Sequence, residues 1–265
     1  MRPWGRGTTI PRVTPEHCAA AVHSVVREMD TSWSADPKTL RRAREMGLTG
    51  WAFYVAGRGG VLGADARPET VAAALGFIAL DSVRGGLETA AKVGQAAVAE
   101  HRLAECCRWG AERLAGVPRL SRLVDLSEQV VLAADATAMP LFAAWRAMPL
   151  PDDREPARAA ALMHLLAEFR SGAWLLATRA CGLSSVEALV AGPQGTAEVV
   201  AYGWQPPYPA PGPLMRRYAY AEALANRIAG HAYLRLSAPE RRELVGLLTT
   251  AREASRTGTT PLPHP

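Results

Sequence analysis

The stretch PARAAALMHLLAEFRSGAWLLATRAC, residues 156–181, decides the fold. Its apolar side chains recur at helical spacing over the longest such run in the chain. A loop rich in proline and aspartate precedes it at 149–156, and Gly182 follows it as a residue that ends helices. The sequence therefore predicts one long helix at 156–181.

Helical signals continue on both sides of this stretch. Thr14 and Asp36 each stand directly before a proline, as helix N-caps do. Residues 197–202 are the only candidate strand, and they show no convincing alternation of apolar and polar side chains. We therefore predict an all-α fold, a multi-helix, bundle-like single core. The other helices are predicted at 15–30, 37–47, 48–57, 68–82, 86–115, 119–134, 184–191, 214–233 and 237–254, with a short apolar segment at 139–145.

Clusters of proline and glycine suggest the domain organisation. A helical core domain is predicted at 14–191 and a small C-terminal helical pair at 214–254. Residues 192–213 are predicted to be a largely irregular connection, because their prolines remove helix donors and disfavour the α conformation of the preceding residue. The tail at 255–265 is predicted to be disordered. The C-terminal pair is either part of the core or a small appendage.

Composition and charge exclude several classes of protein. The chain has 265 residues, of which 49% are hydrophobic and 21% charged, so a collagen, a coiled-coil rod and a disulfide miniprotein are excluded. The net charge of +5 comes from scattered arginines rather than a concentrated basic stripe, so a nucleic-acid partner is not expected. No uncharged apolar run approaches 18 residues, and the N-terminus lacks the apolar region of a signal peptide. We therefore expect no membrane association.

The sequence also predicts no metal and no organic cofactor. The chain has four cysteines and no CxxC pair, so neither a zinc ribbon nor a disulfide framework is expected. Reduced thiols fit a cytoplasmic protein. The glycine-rich break at 58–63 lacks the GxxxxGK pattern of a phosphate-binding loop.

Two groups of side chains could carry chemistry. Asp81, Arg84 and Glu88 stand at i, i+3 and i+7, which could be an arginine that binds an anion and is oriented by carboxylates, or a solvated ladder of ion pairs. His164 and Glu168 stand at i and i+4. They could be a general base with its orienting carboxylate, or a buried histidine that only stabilises its helix.

A family resemblance adds to these patterns. The stretch YVAGRGGVLG, residues 54–63, resembles a YFxxRxxPLG signature, which it matches at Tyr54, Arg58, Leu62 and Gly63. Over about 45–250 the chain resembles an actinobacterial family of all-helical proteins described as containing a helix-turn-helix. The other segments that carry the resemblance are 71–80, 162–170, 184–190 and 202–204.

The chain also departs from this family. Residues 77–80 and 169–174 lack the histidines and the aspartate of the corresponding family segments, and residues 205–209 are QPPYP where the family has a helix. The resemblance thus implies a divergent member with a rebuilt pocket, in which 214–254 is a degenerate winged-helix-like unit. Such relatives occur in natural-product gene clusters.

We therefore expect a cofactor-independent enzyme of natural-product biosynthesis with a small anionic substrate. Its reaction would be a proton abstraction with ring closure or elimination, for example an amine displacing a sulfate or phosphate in the same molecule. The alternatives are a ligand-responsive DNA-binding regulator, or a non-catalytic scaffold that forms a homo-oligomer or joins a partner subunit. The expected catalytic residues are His164, Glu168 and Asp81, and the expected substrate-binding residues are Arg58, Arg84, Arg170, Tyr54 and Trp174.

Overall fold

The structure is a computed structural model that describes residues 13–152 and 154–257. Within these ranges the chain forms thirteen α-helices and no strand, which confirms the predicted all-α class. The helices are α1 (Pro15–Ser34), α2 (Pro37–Glu45), α3 (Gly50–Gly59), α4 (Pro68–Leu75), α5 (Leu80–Ala90), α6 (Gln95–Arg113), α7 (Leu120–Ala133), α8 (Pro140–Arg146), α9 (Glu155–Ala180), α10 (Ser185–Ala191), α11 (Thr196–Ala201), α12 (Met215–Tyr233) and α13 (Ala238–Thr257). Two short 3₁₀ turns lie at Gly60–Leu62 and Gly212–Leu214.

Local capping chemistry sets the helix starts that the sequence predicts. The Thr14 hydroxyl accepts a hydrogen bond from the backbone of His17, and the Asp36 carboxylate accepts bonds from the first turn of α2. Ser184 and Glu187 form a reciprocal capping box at the start of α10. These side chains satisfy backbone donors that a helix start would otherwise leave free.

The predicted helix at 68–82 is wrong, because the chain turns a corner at Gly76 and forms α4 and α5 instead. Gly76 has φ +79°, which favours glycine, and a Cβ atom there would lie 2.5 Å from Leu175 of α9. The predicted helix at 86–115 is likewise divided, since α5 ends at Ala90 and α6 begins at Gln95.

The connection at 192–213 contains a helix that the sequence did not predict. Residues 197–202, the candidate strand, belong largely to α11. The Tyr202 carbonyl accepts from the backbone of Ala79, and the indole of Trp204 donates to the Phe77 carbonyl at 2.8 Å. These bonds hold the segment over the corner between α4 and α5. The predicted disordered tail is wrong at 255–257, which end α13, and its remainder lies outside the described residues.

The core is built around α9. Its side chains from Ala159 to Arg170 are all buried, as expected for a helix that is surrounded by other helices. Helices α1, α6, α7, α8 and α12 pack against it. Leu236, Leu244 and Leu248 join the same apolar cluster, so the C-terminal helices are part of the core rather than an appendage.

No single helix in the described ranges is long and apolar enough to cross a membrane. Among helix pairs of the described residues, α9 and α10 pass that test together, and they are bent by 106° at their junction.

Candidate functional site

A cavity of about 480 Å³ lies beside α9, with walls from α1, α3, α8 and the α10–α11 segment. Two groups of aromatic rings form much of its surface. Trp51 stacks on Tyr54 with ring centroids 5.7 Å apart and lies 6.1 Å from the ring of Tyr202. Trp174 stacks on Phe77 at 6.5 Å and meets the ring of Tyr218 edge-on at 5.2 Å. The cavity therefore offers flat apolar surfaces to a ligand.

A buried ion pair joins α3 to α9 at this cavity. Arg58 donates from Nε and Nη2 to the two carboxylate oxygens of Glu168, at 2.7 Å each, and from Nη1 to the Tyr54 hydroxyl at 2.8 Å. The two charged side chains are only 13% and 3% exposed. Burial raises the pKa of Glu168, but the Arg58 charge outweighs it and holds that pKa below its usual value. Glu168 is therefore ionised and already neutralised.

A second carboxylate, Asp30 of α1, also lines the cavity. Its Oδ1 atom lies 2.7 Å from Nδ1 of His164 and accepts a bond from the indole of Trp33 at 2.9 Å. Burial raises the pKa of Asp30, but the charges of His164, Arg102 and Arg58 outweigh this effect and lower it to about 2. Asp30 is thus an anion on the cavity wall near pH 7.

The structure brings together some of the residues that the sequence singled out. Tyr54, Arg58, Glu168 and Trp174 line one cavity. His164 does not face Glu168 as an acid–base partner, although the two share a helix; it lies behind the wall, 1% exposed, and bonds to Asp30 instead.

The three arginines expected to hold an anion have other partners. Arg58 is engaged by Glu168, and Arg170 is buried with bonds to Glu222 and Asn226. Arg84 lies outside the cavity, where it pairs with Glu69 and Asp81.

Asp81 also lies outside the cavity. Its side chain is 92% exposed, and it only pairs with Arg84 one turn away. Residues 80–90 place this pair on the outer face of α5, so the interpretation as a solvated ion-pair ladder fits the geometry. Neither residue can act on a ligand bound in the cavity.

Asp30 was not predicted from the sequence. It lies 134 residues from His164 along the chain, and only the packing of α1 on α9 brings them into contact. Tyr202 was missed for a similar reason, since its segment was expected to be irregular or a strand. Asp30, Arg27 and His23 stand at i, i−3 and i−7. This helical spacing could have indicated a polar face on α1.

The charged groups on the cavity wall are unbalanced. Four carboxylates, from Asp30, Glu168, Glu198 and Glu222, face two guanidinium groups, from Arg27 and Arg58. Burial and the nearby charges of Arg170 and Arg27 lower the pKa of His23, the remaining titratable cation of the wall, to about 3, so it is neutral near pH 7. The wall itself therefore carries more negative than positive charge. No three His, Cys, Asp or Glu side chains of the described ranges lie together in a way that could hold a metal ion.

Comparison with protein families adds one finding. The model of a helix-turn-helix family matches residues 19–208. The chain belongs to this helix-turn-helix family. The matched residues include every wall of the cavity except Tyr218 and Glu222 of α12, so the cavity lies largely within the family's own region. Comparison with curated proteins and with solved structures finds no match.

Proposed function

We propose that this protein binds a small organic molecule in its cavity, and that this molecule carries a protonated amine beside an apolar or aromatic group. The observation that carries the proposal is the ionised Asp30 carboxylate on a wall otherwise rich in aromatic rings. A carboxylate supplies the counter-charge for an ammonium group, and the faces of Trp and Tyr rings attract cations. A volume of about 480 Å³ suits a ligand of metabolite size.

An anionic ligand, as expected from the sequence, has less support. Arg58 and Arg170 already have carboxylate partners, and Arg84 is outside the cavity. Arg27 remains at the wall with an exposed side chain that could meet an anionic end of the ligand. A molecule with an amine toward Asp30 and an oxyanion toward Arg27 would fit this arrangement, because the two residues lie one turn apart on α1.

A second candidate is an enzyme that transforms the bound amine. The pair of Asp30 and His164, 2.7 Å apart, favours it, since a carboxylate on the wall with an imidazole behind it can take up a proton. In that case Asp30 would accept the amine proton while the nitrogen displaces an oxyanion such as sulfate or phosphate. This is the cofactor-independent ring closure expected for an actinobacterial natural-product pathway in the cytoplasm. Binding comes first in our proposal, because a carboxylate with a pKa of about 2 holds an ammonium ion more readily than it removes its proton.

Three probes that share a benzyl group test the preference for an amine. Benzylamine, benzyl alcohol and phenylacetate differ mainly in charge, and their binding can be followed by calorimetry and by the fluorescence of Trp51 and Trp174 on the wall. We expect benzylamine to bind most tightly and phenylacetate least. Tighter binding of phenylacetate would overturn the proposal and restore the anionic substrate.

Two aspartate variants locate the contact. Asp30→Asn should weaken benzylamine binding by about tenfold or more, since it removes the counter-charge. Asp81→Asn is the matched control and should leave binding unchanged, because Asp81 lies outside the cavity. An equal loss in both variants would place the amine elsewhere.

The enzyme candidate needs a separate test. Protein purified from its own host can be denatured and its released small molecules identified by mass spectrometry. Fresh protein is then incubated with an amine found in this way. Conversion to a product lighter by sulfuric or phosphoric acid supports the enzyme, and unchanged recovery supports binding alone.

A further inference from the structure

Arg102 of α6 is buried next to the cavity wall without a conventional partner. Its side chain is 1% exposed, and none of its three guanidinium nitrogens has a hydrogen-bond partner among the described residues. The guanidinium lies over the ring of Trp33 at 4.4 Å and near the ring of Tyr54 at 5.6 Å. A buried charge left in this state is costly, so its presence calls for a physical reason.

The fold makes room for this arginine. A Cβ atom at Gly57 of α3 would lie 2.7 Å from Cδ of Arg102, so a side chain there would displace it. Glycine at this position therefore lets the arginine pass between α3 and α6 to reach Trp33. The edge of the same indole donates to Asp30, so the guanidinium at the face of the ring and the carboxylate at its edge contact one side chain.

Charge balance gives Arg102 a role. Glu168 is neutralised by Arg58, whereas Asp30 has no guanidinium bonded to it among the described residues. Four charged or titratable side chains interact electrostatically with the Asp30 carboxylate: His164 and Glu168 from α9, Arg58 from α3 and Arg102 from α6. Arg102 is thus a buried guanidinium group whose charge acts on Asp30 and which is bonded to no carboxylate among the described residues.

We infer that Arg102 is a positioning residue, which holds the Asp30 carboxylate in its ionised, His164-bonded form without touching the ligand. The inference deepens the proposed function, and its relevance to ligand binding rests on that proposal. The low pKa of Asp30, to which the Arg102 charge contributes, agrees with the geometry. The cavity thus keeps its anion even when it is empty.

Carbon-13 NMR of protein labelled at aspartate tests the inference without any ligand. The Cγ resonance of Asp30, assigned with Asp30→Asn, is followed from roughly pH 2.5 to 8. In the unsubstituted protein it should stay at its ionised value above about pH 3. In Arg102→Met, which fills the same space without charge, it should titrate with a midpoint at least about one pH unit higher. Arg102→Lys should restore the original behaviour, which a purely structural role would not predict.

Further outcomes keep the test decisive. An Asp30 resonance with the same pH dependence in Arg102→Met as in the unsubstituted protein would overturn the inference, because His164, Trp33 and Arg58 would then hold the carboxylate without Arg102. Should Arg102→Met fail to fold, Gly57→Ala displaces the guanidinium and should raise the midpoint by a smaller amount. Failure of benzylamine to bind, together with the expected shift in Arg102→Met, would refute the proposed function and leave the inference standing.

Discussion

Arg58 shows why residue type alone did not define the site. The family signature singled it out as a candidate substrate-binding residue, and it does line the cavity, but its partner Glu168 lies 110 residues away. Only the packing of α3 near α9 turns a candidate anion-binding group into half of an ion pair. The sequence could indicate that Arg58 belongs to the site, but it could not show that Glu168 already neutralises its charge.

Breaking this pair should be costly. We expect Arg58→Met to lower the free energy of unfolding by about 3–5 kcal/mol, because it leaves the buried Glu168 carboxylate without a partner. Arg84→Met is the control and should change it far less, because the Arg84 pairs are exposed. Urea unfolding measures both. Equal effects of the two variants would contradict the buried ion pair.

Asp30 should make stability depend on pH. Its pKa is about 2 in the folded protein, below the reference value of 3.8, so its contribution is fully present above about pH 4 and is lost as the pH falls toward 2. That contribution is about 2 kcal/mol. The stability difference between the unsubstituted protein and Asp30→Asn should therefore be larger at about pH 6 than at about pH 3. A difference that stays constant across this range would show that Asp30 has an ordinary pKa.

Helix starts were easier to predict than corners. Thr14, Asp36 and Ser184 cap their helices with their own side chains, which is local chemistry that the sequence displays. The corner at Gly76 depends on Leu175 of α9, a contact that no local pattern contains. The same holds for α11, whose position over that corner depends on bonds to residues 77 and 79.

Two adjacent glycines of α5 give a matched test of its packing. A Cβ atom at Gly85 would meet nothing within 4 Å, whereas one at Gly86 would lie 2.9 Å from Cβ of Val55 on α3. Gly85→Ala should therefore raise the free energy of unfolding by roughly 0.5–1 kcal/mol, since alanine favours a helix. Gly86→Ala should lower it, because α3 and α5 must move apart. Thermal unfolding compares the two variants. A loss of stability in Gly85→Ala would contradict the packing of α5 described here, in which Gly85 faces open space.

On the scale of the whole molecule, the long helix predicted at 156–181 correctly indicated the centre of the core. A continuous run of apolar and small residues on all sides of one helix means that other helices must surround it, which is the arrangement of α9. What the sequence left open was whether 214–254 belongs to that core. Alanines of α12 pack toward α9 and α1, and the leucines of α13 join the main cluster, so long-range packing settled the question.

A shared core predicts that the molecule unfolds as one unit. Leu248→Ala in α13 should cost about 2–5 kcal/mol, because Leu248 is fully buried. Leu234→Ala, at an exposed position just after α12, is the control and should cost less than about 0.5 kcal/mol. The loss should appear equally in circular dichroism and in the fluorescence of the tryptophans at the cavity. Separate transitions would instead indicate that the C-terminal helices fold independently.

Because the family is described as a helix-turn-helix family, DNA binding by the whole molecule has to be considered. Among the arginines of the C-terminal helices, Arg241 donates to three backbone carbonyls, and Arg217 bonds to Gly182 and Glu187. The exposed face of α12 retains Arg216 and Arg227, which are eleven residues or about 16 Å apart along the helix. A protein that binds duplex DNA usually neutralises about six to ten phosphates.

We therefore expect no saturable binding of a random duplex in fluorescence anisotropy at about 50 mM salt. Binding that weakens linearly with the logarithm of salt concentration would contradict this expectation, because it is the signature of released counterions. Arg216→Glu and Arg227→Glu would then show whether the face of α12 is responsible. Loss of such binding on adding benzylamine would show that a ligand in the cavity controls DNA binding, and the protein would be a ligand-responsive regulator.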